Sequence, residues 1–150
     1  MDQGPYLIDT NVFVIDLRYP RDRHFGVNRR FLDAIKRERS GITTTINLLE
    51  LCGILSFNLN QRQLSTLWEQ FPGRFGVDVL PTAEFDAPVP KMGVGELFAL
   101  LERRMSLGDC QFLLTARNHA AFAKTLVTWD RDHFVDRYAG RVVTPEELLA

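Results

Sequence analysis

Cysteine is scarce. Cys52 and Cys110 are the only two, and each lies inside an apolar run. That is too few for a disulfide framework or a thiolate metal site, and it fits reduced core thiols. Long hydrophobic runs are also missing: none approaches the ~18 residues of a membrane span. The opening Met1-Asp2-Gln3-Gly4-Pro5 lacks the basic and apolar regions of a secretion signal, so a cytoplasmic location is expected. Charge of one sign does not dominate. With 18 Lys+Arg against 19 Asp+Glu the net charge is −1, which excludes a uniformly basic surface but leaves room for a local basic patch. No Gly-x-x-x-x-Gly-Lys loop and no Gly-x-Gly-x-x-Gly fingerprint occurs, which argues against an NTPase or a dinucleotide enzyme. His24, His119 and His133 show no metal-binding spacing, so zinc is not expected, and Cys110 has no evident base to make it a nucleophile.

What is present is the composition of a folded protein. The apolar share is 45% and the charged share 25%, and 150 residues suffice for one domain, 1–150, with a real core. Tyr6-Leu7-Ile8 reads as a short strand, with Val12 to Leu17 continuing apolar beyond a polar Asp9-Thr10-Asn11. After a loop with Pro20, the spacing of Val27, Phe31, Ala34 and Ile35 predicts a helix closed by Lys36, Arg37 and Arg39, with Gly41 as its stop. Ile42 to Thr45 is β-branched and predicts a strand. Ile46 to Leu55 is apolar nearly all round and predicts a buried helix. Leu64, Leu67, Trp68 and Phe71 share the stripe of another, ended by Pro72-Gly73. A third strand is expected within Phe75–Leu80, and a connecting loop across residues 81–95. A helix around Leu97, Leu100 and Leu101 follows. Leu107-Gly108 then punctuates, before a helix carrying Phe112, Leu113, Ala116 and Ala120. Thr125–Thr128 and Val142-Val143 predict two more strands, and Thr144-Pro145-Glu146-Glu147 opens a last short helix with a capping box. Strands alternating with helices imply a parallel sheet covered on both faces.

Against this background four acids stand where apolar residues would be expected or at strand ends. Asp9 follows Tyr6-Leu7-Ile8, Glu50 interrupts Leu48-Leu49-Glu50-Leu51-Cys52, Asp109 precedes Cys110-Gln111-Phe112-Leu113-Leu114, and Asp130 follows Leu126-Val127-Thr128-Trp129. Plainer readings exist: an Asx turn at Asp9, a helix cap at Asp109, turn residues at Asp130 and Asp132, solvent exposure at Glu50. Yet ligands of open α/β sheets bind outside the carboxyl ends of the strands, where all four acids can meet. Ionised carboxylates a few ångströms apart need a counter-charge, and no Lys or Arg lies within four residues of Asp9, Glu50 or Asp109. A hard divalent cation, Mg²⁺ or Mn²⁺, would supply it.

The series Leu7-Ile8-Asp9-Thr10-Asn11, Glu50, Leu107-Gly108-Asp109 and Leu126-Val127-Thr128-Trp129-Asp130-Arg131-Asp132 resembles the PIN domain, in particular the VapC-type toxins of VapBC toxin–antitoxin modules, from Tyr6 to about Val143. The resemblance implies a three-layer α/β/α domain with a parallel sheet of four or five strands. It implies an endoribonuclease using one or two Mg²⁺ or Mn²⁺ ions, a homodimer, and a cognate antitoxin partner. Its catalytic and metal-binding acids fall on Asp9, Glu50, Asp109 and Asp130, and the residues that orient them on Asn11 and Thr128, with Asp132 beside them. Either Asp130 or Asp132 can be the fourth acid; Asp130 is nearer the strand end. The stretch from about Phe71 to Gly95 is longer than in compact members. Eight of the 18 Lys+Arg lie between Arg18 and Arg39, which makes Arg18, Arg21 and Arg23 candidates for RNA contact, the plainer reading being a solvated helix face. A haloacid-dehalogenase-like phosphatase would need an aspartate where Asn11 stands. A catalytically silent RNA- or protein-binding module of the same fold is the alternative.

Overall fold

The computed structural model describes residues 1–150. Five strands, β1 (Tyr6–Ile8), β2 (Gly41–Thr44), β3 (Val77–Leu80), β4 (Thr125–Val127) and β5 (Arg141–Val143), form one sheet in the order β3-β2-β1-β4-β5. Every neighbouring pair is parallel, an arrangement that requires crossover connections such as the intervening helices supply. The chain winds outward from β1 in one direction through β2 and β3. It winds in the other through β4 and β5. The reversal falls between β1 and β4, the place where open α/β sheets bind ligands outside the carboxyl ends of their strands.

Alternation along each short strand sends neighbouring side chains to opposite cores. Tyr6, Ile8, Val77, Val79 and Val127 pack with Phe13, Phe31, Leu48, Phe71 and Leu148. That layer is built by α1 (Thr10–Arg18), α2 (Phe25–Glu38), α3 (Thr45–Leu55), α4 (Gln61–Phe75) and α8 (Pro145–Leu149). Leu7, Ile42, Leu126 and Val142 face the other way, against Leu100, Phe112, Leu113 and Phe134. Those come from α5 (Val94–Leu101), α6 (Leu107–His119) and α7 (Arg131–Phe134). The result is the three-layer α/β/α arrangement with a parallel sheet of five strands.

Local differences from expectation have identifiable causes. Val12–Leu17 belongs to α1, with Asp9 as its N-cap. Gly41 is the first residue of β2 and stops nothing; Arg39, at φ 52°, closes α2. Gly41 is needed because a Cβ there would stand 2.6 Å from Ile35 Cγ2 and 2.9 Å from Val77 Cγ2. Thr45 leaves the strand for α3, since Thr44 and Asn47 form a capping box there. The fourth helix continues through Pro72-Gly73 to Phe75, because burying Phe71 and Phe75 outweighs one lost backbone bond near its end. Gly76, at φ 63°, ends it, its N–H donating to Pro72 O. Leu107 and Gly108 open α6 after Ser106, and do not separate elements. The third helix is buried on one side only: Leu49, Glu50 and Ile54 are exposed.

Candidate active site

Asp9 leaves β1 at its carboxyl end and caps α1, which fixes both of its oxygens. Oδ1 accepts the Thr10 N–H at 2.8 Å, and Oδ2 accepts the Thr128 hydroxyl at 2.9 Å. The backbone N–H donates to Val127 O of β4 at 3.0 Å, so the residue bridges the two strands at the reversal point. Only 7% of it is exposed. That burial pushes its carboxyl up to about 7; the bonds from Thr128 and Thr10 oppose the rise, while the charges of Asp109 and Glu50 add to it.

Thr128 is the hub of the polar cluster. Its hydroxyl donates to Asp9 and accepts from the Asp130 N–H at 3.0 Å and from the Asn11 amide at 3.1 Å, which uses its one donor and two acceptor sites in full. Asn11 donates in turn to Asp130 Oδ2 at 3.2 Å and accepts the Trp129 N–H at 3.2 Å. The first turn of α1 and the end of β4 are thereby tied together, with Asn11 and Thr128 holding Asp9 and Asp130. Trp129 is held from a further side. Its indole N–H donates to Asn28 Oδ1 at 2.8 Å, and its ring stacks on His24 at 4.1 Å.

The other acids arrive on helices. Asp109 lies in the first turn of α6, where Ser106 Oγ accepts its N–H at 3.2 Å. Burial raises its carboxyl pKa; Ser106 and His133 lower it, and the charge of Asp130 raises it again. His133 Nδ1 lies 3.6 Å from Asp109 Oδ2. Glu50 reaches this helix from α3: a Cβ on Gly108 would stand 3.2 Å from its Oε2. Its side chain is exposed, so its place in an apolar run reflects a half-buried helix and not a buried carboxylate in need of a partner. Asp130 is exposed as well. Asp132 bonds to neither Asn11 nor Thr128; it lines a cavity of about 190 Å³ together with Asp109.

The candidate RNA-contact arginines are all exposed. Arg18 ends α1, roughly 13 Å along the helix axis from the Asp9 end at 1.5 Å per residue. With Arg21 it lines a shallow hollow beside Tyr19. Arg23 lies closer to the cluster, donating from Nε to His24 Nε2 at 3.2 Å.

No protein-family model and no curated protein matches this sequence. Solved structures do. The chain superposes on FitAcB from Neisseria gonorrhoeae with a TM-score of 0.58 at 21% identity, covering 94% of this chain and 98% of that one. VapBC2 from Rickettsia felis, bound to a DNA fragment from its promoter, gives 0.58 at 20% identity, covering 92% and 96%. FitAB bound to the IR36 DNA fragment gives 0.57 at 20% identity, covering 93% and 94%. The fold is PIN-like.

On this PIN-like fold Asp9, Glu50, Asp109 and Asp130 offer hard carboxylate oxygen, with the Asn11 amide bonded to Asp130, the Thr128 hydroxyl to Asp9, and the His133 imidazole beside Asp109. That chemistry suits Mg²⁺ or Mn²⁺ and not a thiophilic ion. The charges of Asp109 and Glu50 both act on Asp9, and that of Asp130 acts on Asp109. They share one rim without forming a tight cluster, because no three Asp, Glu, His or Cys side chains are drawn together as a ready ligand set. Like charges repel, and Glu50 and Asp130 extend into solvent where water screens them. Ser106 and His133 are the neighbours of Asp109 that the sequence reading missed. Ser106-x-x-Asp109 is a legible cap signature; His133, 24 residues further on (133 − 109), carries no local signal.

Proposed function

We propose that the chain is a metal-dependent endoribonuclease and the toxin of a type II toxin–antitoxin pair. The observation that carries this reading is Asp9: a carboxylate buried at the strand reversal, raised to about 7, with Glu50, Asp109 and Asp130 around it. An ionised group in that position costs several kcal/mol unless positive charge meets it. Asp9, Glu50, Asp109 and Asp130 are the ligands this reading assigns. When bound, Mg²⁺ or Mn²⁺, as one or two ions, supplies positive charge that polarises a phosphodiester and acidifies water. The chain's own part is positional. Thr128 and the Thr10 N–H fix both oxygens of Asp9, leaving each with a free lone pair. Asn11 restrains Asp130, and Ser106 fixes the helix turn that presents Asp109.

The toxin role is supported by FitAB, FitAcB and VapBC2, whose fold extends over more than nine-tenths of this chain. It brings a cognate antitoxin as partner and cytoplasmic RNA as substrate. No helix is long and apolar enough to cross a membrane. A homodimer fits the exposed face of α5, where Val94, Phe98 and Leu101 recur at i, i+4 and i+7. The spread of the acidic side chains favours, as a second reading, a catalytically silent module of the same fold that binds RNA or protein.

RNA cleavage by antitoxin-free protein, with Mn²⁺ or Mg²⁺ and with EDTA, separates the two. The nuclease reading expects cleavage that EDTA abolishes. It expects Asp9→Asn and Asp109→Asn to lose several kcal/mol of transition-state stabilisation, more than about a hundred-fold in rate, while remaining folded. Full activity in either variant, or none in the wild type with metal, removes it.

A further inference from the structure

The cavity of about 190 Å³ that adjoins Asp109 is unlike the rest of the rim. Its lining includes Arg104, Ser106, Asp109, Asp132, His133 and Arg137. The rim around Asp9, Glu50 and Asp130 offers carboxylates. Here two guanidinium groups and an imidazole join them, from segments about thirty residues apart in sequence (104 to 133).

The two arginines are not consumed by internal ion pairs, whereas the His133 imidazole stands 3.6 Å from Asp109 Oδ2. Arg104 makes no ion pair and no side-chain hydrogen bond, whereas Arg29, Arg131 and Arg141 are all paired. Arg137 gives its two terminal nitrogens to backbone carbonyls, Nη2 to Arg103 O at 2.9 Å and Nη1 to Asp132 O at 3.4 Å. Its Nε is buried with no hydrogen-bond partner. Arg103 returns the bond, Nη2 donating to Asp136 O at 2.7 Å, so the two walls are clasped in both directions. Each wall also turns on a left-handed non-glycine residue, Arg104 at φ 62° and Asp136 at φ 69°. Such backbone costs on the order of 1 kcal/mol per residue and concentrates at ligand sites.

We propose that this cavity receives a backbone phosphate of a single-stranded RNA, adjacent to the bond that is cut, with Arg104 as its free cation and Arg137 as its rigid wall. The inference rests on the nuclease reading for its substrate class. A phosphodiester is small, tetrahedral and singly charged, and guanidinium nitrogens match its oxygens. Asp109 and Asp132 on the same lining disfavour a free anion. A phosphate tethered in a strand is brought in by the rest of the polymer.

The test is binding, read without cleavage. A fluorescently labelled single-stranded RNA is titrated in EDTA across a range of salt, followed by anisotropy, against wild type, Arg104→Glu, Arg104→Gly and a charge reversal elsewhere, Arg62→Glu on α4. Arg104→Gly is informative because glycine accepts φ 62°, so the fold is retained or strengthened while the cation is lost. Thermal unfolding checks this. The proposal expects both Arg104 variants to bind on the order of five-fold more weakly at low salt, with the salt slope reduced by about 0.7, and Arg62→Glu to match wild type. Unchanged affinity and slope in Arg104→Gly, or an equal loss in Arg62→Glu, overturns it. Cleavage is scored apart. Protein that binds through Arg104 but does not cut RNA with Mn²⁺ keeps the cavity assignment and loses the nuclease reading. Protein that cuts RNA while Arg104→Gly binds normally does the reverse.

Discussion

At Asp9 the sequence places a carboxylate where folding pushes against its charge. Its folded pKa, about 7, lies above the ordinary value of 3.8, so the protonated acid is the form the fold prefers. The stability this gives is fully present below pH 3.8 and is lost as pH rises through about 7. Asp109 is shifted in the same direction, Asp2 in the opposite one. Without divalent metal, unfolding free energy should therefore fall between pH 4 and 7, by up to about 1.4 kcal/mol per pH unit from Asp9. Asp9→Asn should flatten most of that slope and exceed wild type in stability at pH 8. Denaturant unfolding at several pH values measures both, and a wild-type slope that survives in Asp9→Asn contradicts the assignment. Of the residues at the rim, Asp9, Asn11, Thr128, Asp109 and Asp130 are legible in sequence because strand ends and helix starts are. Glu50 is legible in place but not in exposure, since one helix face of a half-buried run cannot be told from the other without its neighbours. His133 was illegible. Its link to Asp109 exists only in three dimensions.

Elements are most legible where one local signal is strong: the apolar spacing of α2, the α8 capping box and the β-branched or apolar runs of the strands. They were misread where a strong local signal was overruled by packing. Pro72-Gly73 has the chemistry of a helix stop, yet α4 runs on to Phe75 because two buried aromatic rings hold it. The true stop is Gly76, whose φ of 63° and close approach to Lys36 leave no room for a side chain: a Cβ would lie 2.9 Å from Lys36 Cα. Gly76→Ala should lower stability by about 1–3 kcal/mol, while Gly73→Ala, with open space around its Cα, should be neutral or mildly stabilising. Equal effects in thermal unfolding would refute this placement of the helix end. The short α7 leaves no mark in the sequence, because four residues carry no periodicity.

For the whole molecule, alternation of strand and helix made the parallel sheet predictable. Strand order was not, because it depends on which way the chain turns after each crossover. That order matters most for function: placing β1 beside β4 joins Asp9 to Thr128 across 119 residues of sequence. The surface adds a prediction about assembly. Val94, Phe98 and Leu101 expose an apolar stripe on α5, with Phe98 59% accessible. If a second copy covers it, light scattering on the wild type reads a dimer and on Phe98→Glu a monomer; a wild-type monomer, or an unaffected variant, excludes this face.

The most direct test of the shared rim is calorimetric titration of the purified protein with Mn²⁺ at neutral pH, where binding should also release protons from Asp9. Saturable binding in the wild type, lost or weakened more than about ten-fold in Asp9→Asn and in Asp109→Asn, is the predicted result. No saturable binding to the wild type, or equal binding in all three proteins, would mean that these carboxylates meet at one rim without serving a metal ion.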